Sequence, residues 1–204
     1  LVKEYSLNNM QKLTDKVIRQ ALIANLRRRL NAPLATLEEV HVCNSNAIAD
    51  VVAVYKKMHC YEIKGETDSI TRIARQASFY DQAFSLISLV TTENHLKRAE
   101  IIIPNHWGII LAKESGGAVS LRNIRGASKN SLYRPEIALL SLWRSELIQF
   151  ANVDNISLGK MNRQKIAELI ASNASINVIN QGLGRALAAR EKQLSMLDNY
   201  LPCT

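Results

Sequence analysis

The stretch Ile48–Lys64, IADVVAVYKKMHCYEIK, constrains the fold more than any other part of the chain. It holds two short apolar runs bounded by charge. VVAVY is β-branched and aromatic, which predicts a strand. MHCYEIK is strand-like too and stops at Gly65. The few polar residues between them favour a hairpin.

Side chains alternate across a strand with a period of two, so Glu62 and Lys64 share a face with Ile63 behind them. With a turn at Lys56–Met58, Tyr55 pairs with His59, Asp50 falls opposite Lys64, and Glu62 lies on the diagonal. Asp50, Glu62 and Lys64 then form one cluster. A slip of one residue would send Asp50 to the other side.

Two carboxylates and an amine on one face suit a phosphodiester. Paired carboxylates hold Mg²⁺ together with phosphate oxygens and water. The metal lowers the pKa of bound water and stabilises charge on phosphorus oxygens. A lysine beside them can orient or deprotonate that water, or neutralise the transition state.

A helix is predicted next, over Asp68–Phe84, with Asp68 or Ser69 as its N-cap. Ile70, Ile73, Ala74, Ala77, Tyr80 and Phe84 form its apolar stripe. Gln76 and Tyr80, four apart, lie on one side of it.

In this order, D-x₁₁-E-x-K (Asp50, Glu62, Lys64) and Q-x-x-x-Y (Gln76, Tyr80) resemble the PD-(D/E)xK, or restriction-endonuclease-like, nuclease superfamily near its RecB-like branch. The resemblance spans about Leu37 to Ala112 and is nearest to small bacterial proteins of that superfamily. It implies an α-β-β-β-α-β core and a Mg²⁺- or Mn²⁺-dependent nuclease. Asp50, Glu62 and the Ile63 carbonyl would hold metal, Lys64 would act on water, and Gln76 and Tyr80 would orient the site. In many relatives a further acid near the first helix or strand helps hold metal. Of Glu38 and Glu39, Glu39 is the choice, because it shares a face with His41. Two departures stand out: no proline precedes Asp50, and no first-helix acid is evident. They keep open a second implied reading, an inactive module of the same fold that binds nucleic acid or a protein partner.

Charge agrees with a polyanionic partner, DNA being the expectation: 26 Lys and Arg stand against 18 Asp and Glu, for a net +8. The cations expected on phosphate are Arg72, Arg75, Arg122, Arg125 and Lys129, with the run Arg27–Arg29 either on phosphate or at the negative end of a helix dipole. Aromatic residues make up only 5%, which argues against a base-stacking platform. Three cysteines without a CxxC (Cys43, Cys60 and Cys203) predict reduced thiols and a cytoplasmic protein. No apolar run is long enough for a membrane span, and the opening LVKEYSLNN does not read as a signal peptide. A homo-oligomer or protein partner is compatible with all of this.

The remaining chain predicts a helix over residues 7–30, a strand Leu37–Cys43, and a buried strand Leu86–Thr91. A short helix Asn94–Ala99, strands Ile101–Ile103 and Trp107–Ala112, and an edge strand Ala118–Ile124 follow. His106 and Trp107 read as a loop histidine beside a packing tryptophan. Arg122–Arg134 reads as a basic linker or ligand loop. One long helix starts at Pro135, with Leu139, Leu142, Trp143, Leu147 and Phe150 buried. After a loop at Asn152–Lys160, more helices follow, with a break or close approach at Gly182 and Gly184. The expectation is an α/β fold: a central mixed sheet flanked by helices over residues 1–134, with a helical C-terminal extension over 135–204 packed on it.

Overall fold

A computed structural model describes residues 12–151 and 158–200. Residues 7–11 of the first expected helix, part of the 152–160 loop and Cys203 lie outside the described residues.

The chain forms a six-stranded mixed sheet with helices on both faces, in the order β1 to β6 across the sheet. Helix α1 (Asp15–Arg27) is capped by Thr14, whose hydroxyl accepts from the Val17 N–H. Strands β1 (Ala35–Val42), β2 (Ala47–Val54) and β3 (Met58–Lys64) follow as an antiparallel meander. A 3₁₀ turn at Ile70–Arg72 leads into α2 (Ile73–Ala83), which crosses to β4 (Leu86–Thr91), parallel to β3. Helix α3 (Glu93–Ile102) crosses to β5 (Gly108–Ser115), again parallel, and β6 (Ala118–Arg125) returns antiparallel as the edge. The order α-β-β-β-α-β is thus observed through β4.

Each face of the sheet has its own core. Ile18, Leu22, Ile23 and Leu26 of α1 pack on Val51, Ala53, Tyr61, Ile63 and Val90. The other face carries α2 and the C-terminal helices: α4 (Pro135–Leu139), α5 (Arg144–Ala151), α6 (Arg163–Asn173) and α7 (Ile176–Tyr200). Leu139, Leu147, Ile166, Ile170, Ile179 and Leu183 join Val52, Val54, Ile87 and Leu89 there. Fully burying such a side chain is worth roughly 1.5–3 kcal/mol. The helices after residue 135 therefore share the core of the sheet.

Several expectations change. Ile101–Ile103 is not a strand: the run ends α3, and Ile101 is exposed. The linker expected from Arg122 begins later, because residues 122–125 complete β6. The helix from Pro135 is two helices, broken at Leu140–Trp143. Trp143 is 52% exposed, its ring covered by the Arg190 guanidinium 4.3 Å from the centroid. Gly182 and Gly184 mark close approach rather than a break: α7 runs through both, and a Cβ on Gly184 would stand 2.7 Å from Val54 Cγ1. Among the described residues, no helix is long and apolar enough to cross a membrane.

Candidate functional site

Asp50 occupies an irregularity in β2. Ala47, Ala49, Val52 and Val54 all belong to one core, whereas Val51 and Ala53 belong to the other. A strand of period two cannot place residues 49 and 52 on the same face, so the chain rotates at Asp50. The neighbouring strand deforms at the same level: Glu39, bracketed by the pairs Glu38↔Val51 and Val40↔Ala49, has φ +53°. On the other side, the β2–β3 ladder extends from Val54↔Met58 to Val51↔Tyr61. The turn is therefore Tyr55–Lys57, and the expected register, with Asp50 opposite Lys64, is corrected by two residues.

At this break Asp50 Oδ2 accepts the Ile63 N–H at 2.7 Å, replacing a ladder bond with a side chain. Glu62, on β3, is 1% exposed. Its Oε1 accepts from Lys64 Nζ at 2.6 Å and its Oε2 accepts from the Tyr80 hydroxyl at 2.8 Å. Tyr80 also lies 2.6 Å from the Ile48 carbonyl, and Gln76 Nε2 donates to the Tyr80 oxygen at 3.3 Å. Asp50, Glu62, Lys64, Gln76 and Tyr80 are thus linked through α2, β2 and β3.

The electrostatics follow from burial. Removal from water, then the Glu62 charge, push the Asp50 carboxyl up to about 7; the Ile63 N–H and Lys64 act against that. Burial pulls Lys64 down, but the charge and hydrogen bond of Glu62, with Asp50 beyond, hold it above its ordinary value. Lys64 is therefore an ammonium at neutral pH, able to donate and to neutralise but not to take a proton. Burial and then Glu62 raise Tyr80, so its phenol stays protonated.

Arg19 of α1 was not singled out in the sequence. Its guanidinium meets Asp15 at 2.9 Å, Glu39 at 3.1 Å, Glu38 at 3.6 Å and Asp50 at 3.7 Å. Its spacing of four from Asp15 was the available signal. The charge of Asp15 on α1 reaches Asp50 and adds to the rise of its carboxyl. Glu39 is exposed and held by Arg19.

The expected phosphate contacts divide. Arg72 and Arg75 are exposed along the Gln76–Tyr80 helix, and Arg122 and Lys129 are exposed elsewhere. Arg125 is a structural clamp instead: its guanidinium donates to the carbonyls of Trp107 at 2.8 Å and Pro104 at 3.1 Å.

For a metal, the donors are two carboxylates. The Ile63 carbonyl accepts from Lys64 Nζ at 3.1 Å. Among the described residues, no three His, Cys, Asp or Glu side chains come together to hold an ion. Mg²⁺ keeps several waters and needs only one or two carboxylates plus ligand phosphates, so Asp50 and Glu62 are the residues that would hold it.

A solved structure of related outline, the SPO1766 protein of unknown function from Silicibacter pomeroyi, has 13% identity. The match covers 98% of this chain and 100% of that one with a TM-score of 0.46, too loose a likeness to carry an argument. Protein cII of Enterobacteria phage P4 is 22% identical over 170 residues, 83% of this chain but 64% of that protein. The chain thus spans less than two thirds of the length of this curated relative. A family match over residues 8–200 overturns the assignment to the PD-(D/E)xK nucleases, and with it the hydrolase function and the bacterial grouping. D-x₁₁-E-x-K and Q-x-x-x-Y specify only five residues, and strand alternation and helix packing bring such residues together without fixing a chemistry. The family description Bacteriophage P4 protein cII matches residues 8–200, and the chain belongs to that family.

Proposed function

We propose that this chain is a divalent-cation-dependent nucleic-acid-binding protein, with Mg²⁺ or Mn²⁺ held by Asp50 and Glu62 and DNA as the partner. The observation that carries the reading is the mutually repelling pair of carboxylates beside the break in β2, Asp50 half-buried and Glu62 buried. A bound cation would offset that repulsion and accept a phosphate oxygen as a further ligand. Lys64 and Tyr80 hold Glu62 in place, and Gln76 donates to the Tyr80 oxygen behind them. Arg72, at the entry to α2, and Arg75, on it, are exposed and supply charge for the same phosphate chain. The described cysteines, Cys43 and Cys60, are free thiols, which supports a cytoplasmic setting.

Calorimetric titration of Mg²⁺ and Mn²⁺ into the protein, alone and with duplex DNA, tests the reading. Cation uptake should tighten with DNA present and vanish in Asp50→Asn. Identical heats in the two proteins would sink it.

A further inference from the structure

The run Arg27–Arg29 closes α1, and the fold carries it to one end of the sheet. Arg27 donates to Thr36 Oγ1 at 3.0 Å. Thr36 pairs with Ala53, and Ala53 pairs with His59. The Arg29 charge reaches Tyr61, whose ring stacks on His59 at 4.2 Å. Both arginines therefore stand where β2 ends and β3 begins. The turn between those strands carries Lys56 and Lys57, both exposed.

The row continues across the sheet. β4 and β5 run parallel to β3, so they start at this same end. Lys129 is fixed beside their starts, because the Ser128 N–H donates to the His106 carbonyl at 2.9 Å and the Asn130 N–H to the Ser85 carbonyl at 3.3 Å. Neighbouring strands lie about 4.8 Å apart, so from β2 to β5 the row spans roughly 14 Å. Successive phosphates of one strand lie about 3.4 Å apart along a duplex axis, so the row faces several of them.

We propose that this end of the sheet is a nucleic-acid interface, separate from the Asp50–Glu62 site, that grips the phosphate backbone through Arg28, Lys56, Lys57 and Lys129. The inference rests on the nucleic-acid reading above and adds where the chain is held. Arg27 and Arg29 are anchored by Thr36 and Asn25 and set the shape of the surface. Arg28, Lys56, Lys57 and Lys129 extend from it, and none joins an ion pair among the described residues. Two features oppose anion binding here. The α1 C-terminus carries roughly half a negative charge, and Glu191 of α7 lies near Arg27. The full positive charges outweigh them. A membrane surface would call for an apolar set beneath the cations; the large apolar side chains exposed beside them are Leu30 and Leu34.

The test uses a fluorescent duplex and anisotropy in EDTA, which silences the cation site. Wild type is compared with the triple variant Arg28→Ala, Lys56→Ala, Lys57→Ala. These side chains are exposed, so the melting temperature should hold. Affinity should fall at least tenfold near 0.1 M salt, and the log–log salt slope should shrink by about 2.7, or 0.9 per phosphate released. Wild type binding DNA with an unchanged affinity and slope in the variant would overturn this interface and leave the DNA reading standing. Wild type binding no DNA in EDTA would overturn this interface, and the cation-dependent reading falls with it only if Mg²⁺ in place of EDTA restores no binding. Preferential binding to phosphatidylserine vesicles, lost in the same variant, would reassign the surface to a membrane and overturn the proposal.

Discussion

The Tyr80 hydroxyl lies 2.8 Å from Glu62 Oε2 and 2.6 Å from the Ile48 carbonyl, one proton facing two acceptors. It joins α2 to β2 and β3 at the point where β2 is irregular. The ring beneath is fully buried and packs against Trp107 at 6.0 Å.

Tyr80→Phe should therefore cost stability without removing the carboxylates. It keeps the ring in the core and leaves a buried carboxylate oxygen and a carbonyl short of a donor, a loss of about 1–3 kcal/mol. Urea denaturation measures it. Mg²⁺ uptake should persist, since Oε2 is freed rather than lost. A variant as stable as wild type would show that neither bond contributes.

Asp50 and His59 tilt stability with pH in opposite directions. The Asp50 carboxyl rises to about 7 in the fold, against about 3.9 unfolded. The folded state thus holds a proton that the unfolded state has released. Stability is greatest below about pH 4 and falls as pH rises through 7. His59 is pulled down to about 4 by burial, with the Arg29 charge adding to it. Its contribution is present above its unfolded value of about 6.5 and is lost as pH falls to 4. Each slope is on the order of 1.4 kcal/mol per pH unit at full difference in protonation. Between pH 4 and 6.5 the two nearly cancel. Asp50→Asn should remove one, giving a variant whose stability climbs from pH 4 to 6.5 and exceeds wild type at pH 8. Denaturation midpoints across that range decide it; a variant that tracks wild type at every pH would refute the assignment.

The parts of this fold legible in sequence are those with one dominant local cause. β4, LISLVT, is mostly apolar, with Ser88 and Thr91 its polar members, and is buried on both faces of the sheet. Gln76 and Tyr80 meet because a helix puts residues four apart together. The rotation at Asp50 was not legible: Val51, Val52, Ala53 and Val54 are all buried, so their pattern carries no mark of which face each takes. The same uniformity hid the two-residue shift in the turn. Ile101–Ile103 has strand composition, but the helix before it extends into the run, with tertiary context overriding a modest preference. The break after Leu139 depends on contacts across the fold. Leu142 is fully buried, and Arg190 of α7 both pairs with Glu146 and covers Trp143. Arg19 acts through residues distant in sequence, and only Asp15 is its near neighbour along α1.

Asp81 should prove a structural acid. Its Oδ1 accepts from Trp107 Nε1 and from His106 Nε2, both at 2.8 Å, and it is 5% exposed. Asp81→Ala leaves the indole N–H buried without its acceptor and should cost about 3 kcal/mol or more. Asp81→Asn keeps an oxygen for the indole and should cost about 1 kcal/mol. Thermal denaturation of the two variants gives the contrast. Equal losses would mean that the charge, not the acceptor, holds this corner.

Gly65 ends β3 directly after Lys64 and lies against the start of α1. A Cβ there would sit 2.7 Å from the Leu13 carbonyl oxygen and 2.8 Å from the Asp15 nitrogen. These are backbone atoms of the helix entry, so no rotamer change relieves the contact. The Glu66 N–H donates to that same Leu13 carbonyl at 2.9 Å, which ties the two segments together. Gly65→Ala must push the α1 entry away from β3, at a cost of about 1–3 kcal/mol or more for overpacking. Asp15 and Arg19 move with it, so the effect should reach Asp50. The expected outcome is a lower melting temperature together with weaker divalent-cation uptake, measured by calorimetry well below the melting transition. Gly116→Ala is the control. Gly116 lies in the β5–β6 turn with φ +60° and nothing within 4 Å of a Cβ, so it should lower stability through backbone strain alone. Cation uptake should be unchanged in that control. If both variants lose stability and neither loses cation affinity, the α1 entry does not position the site.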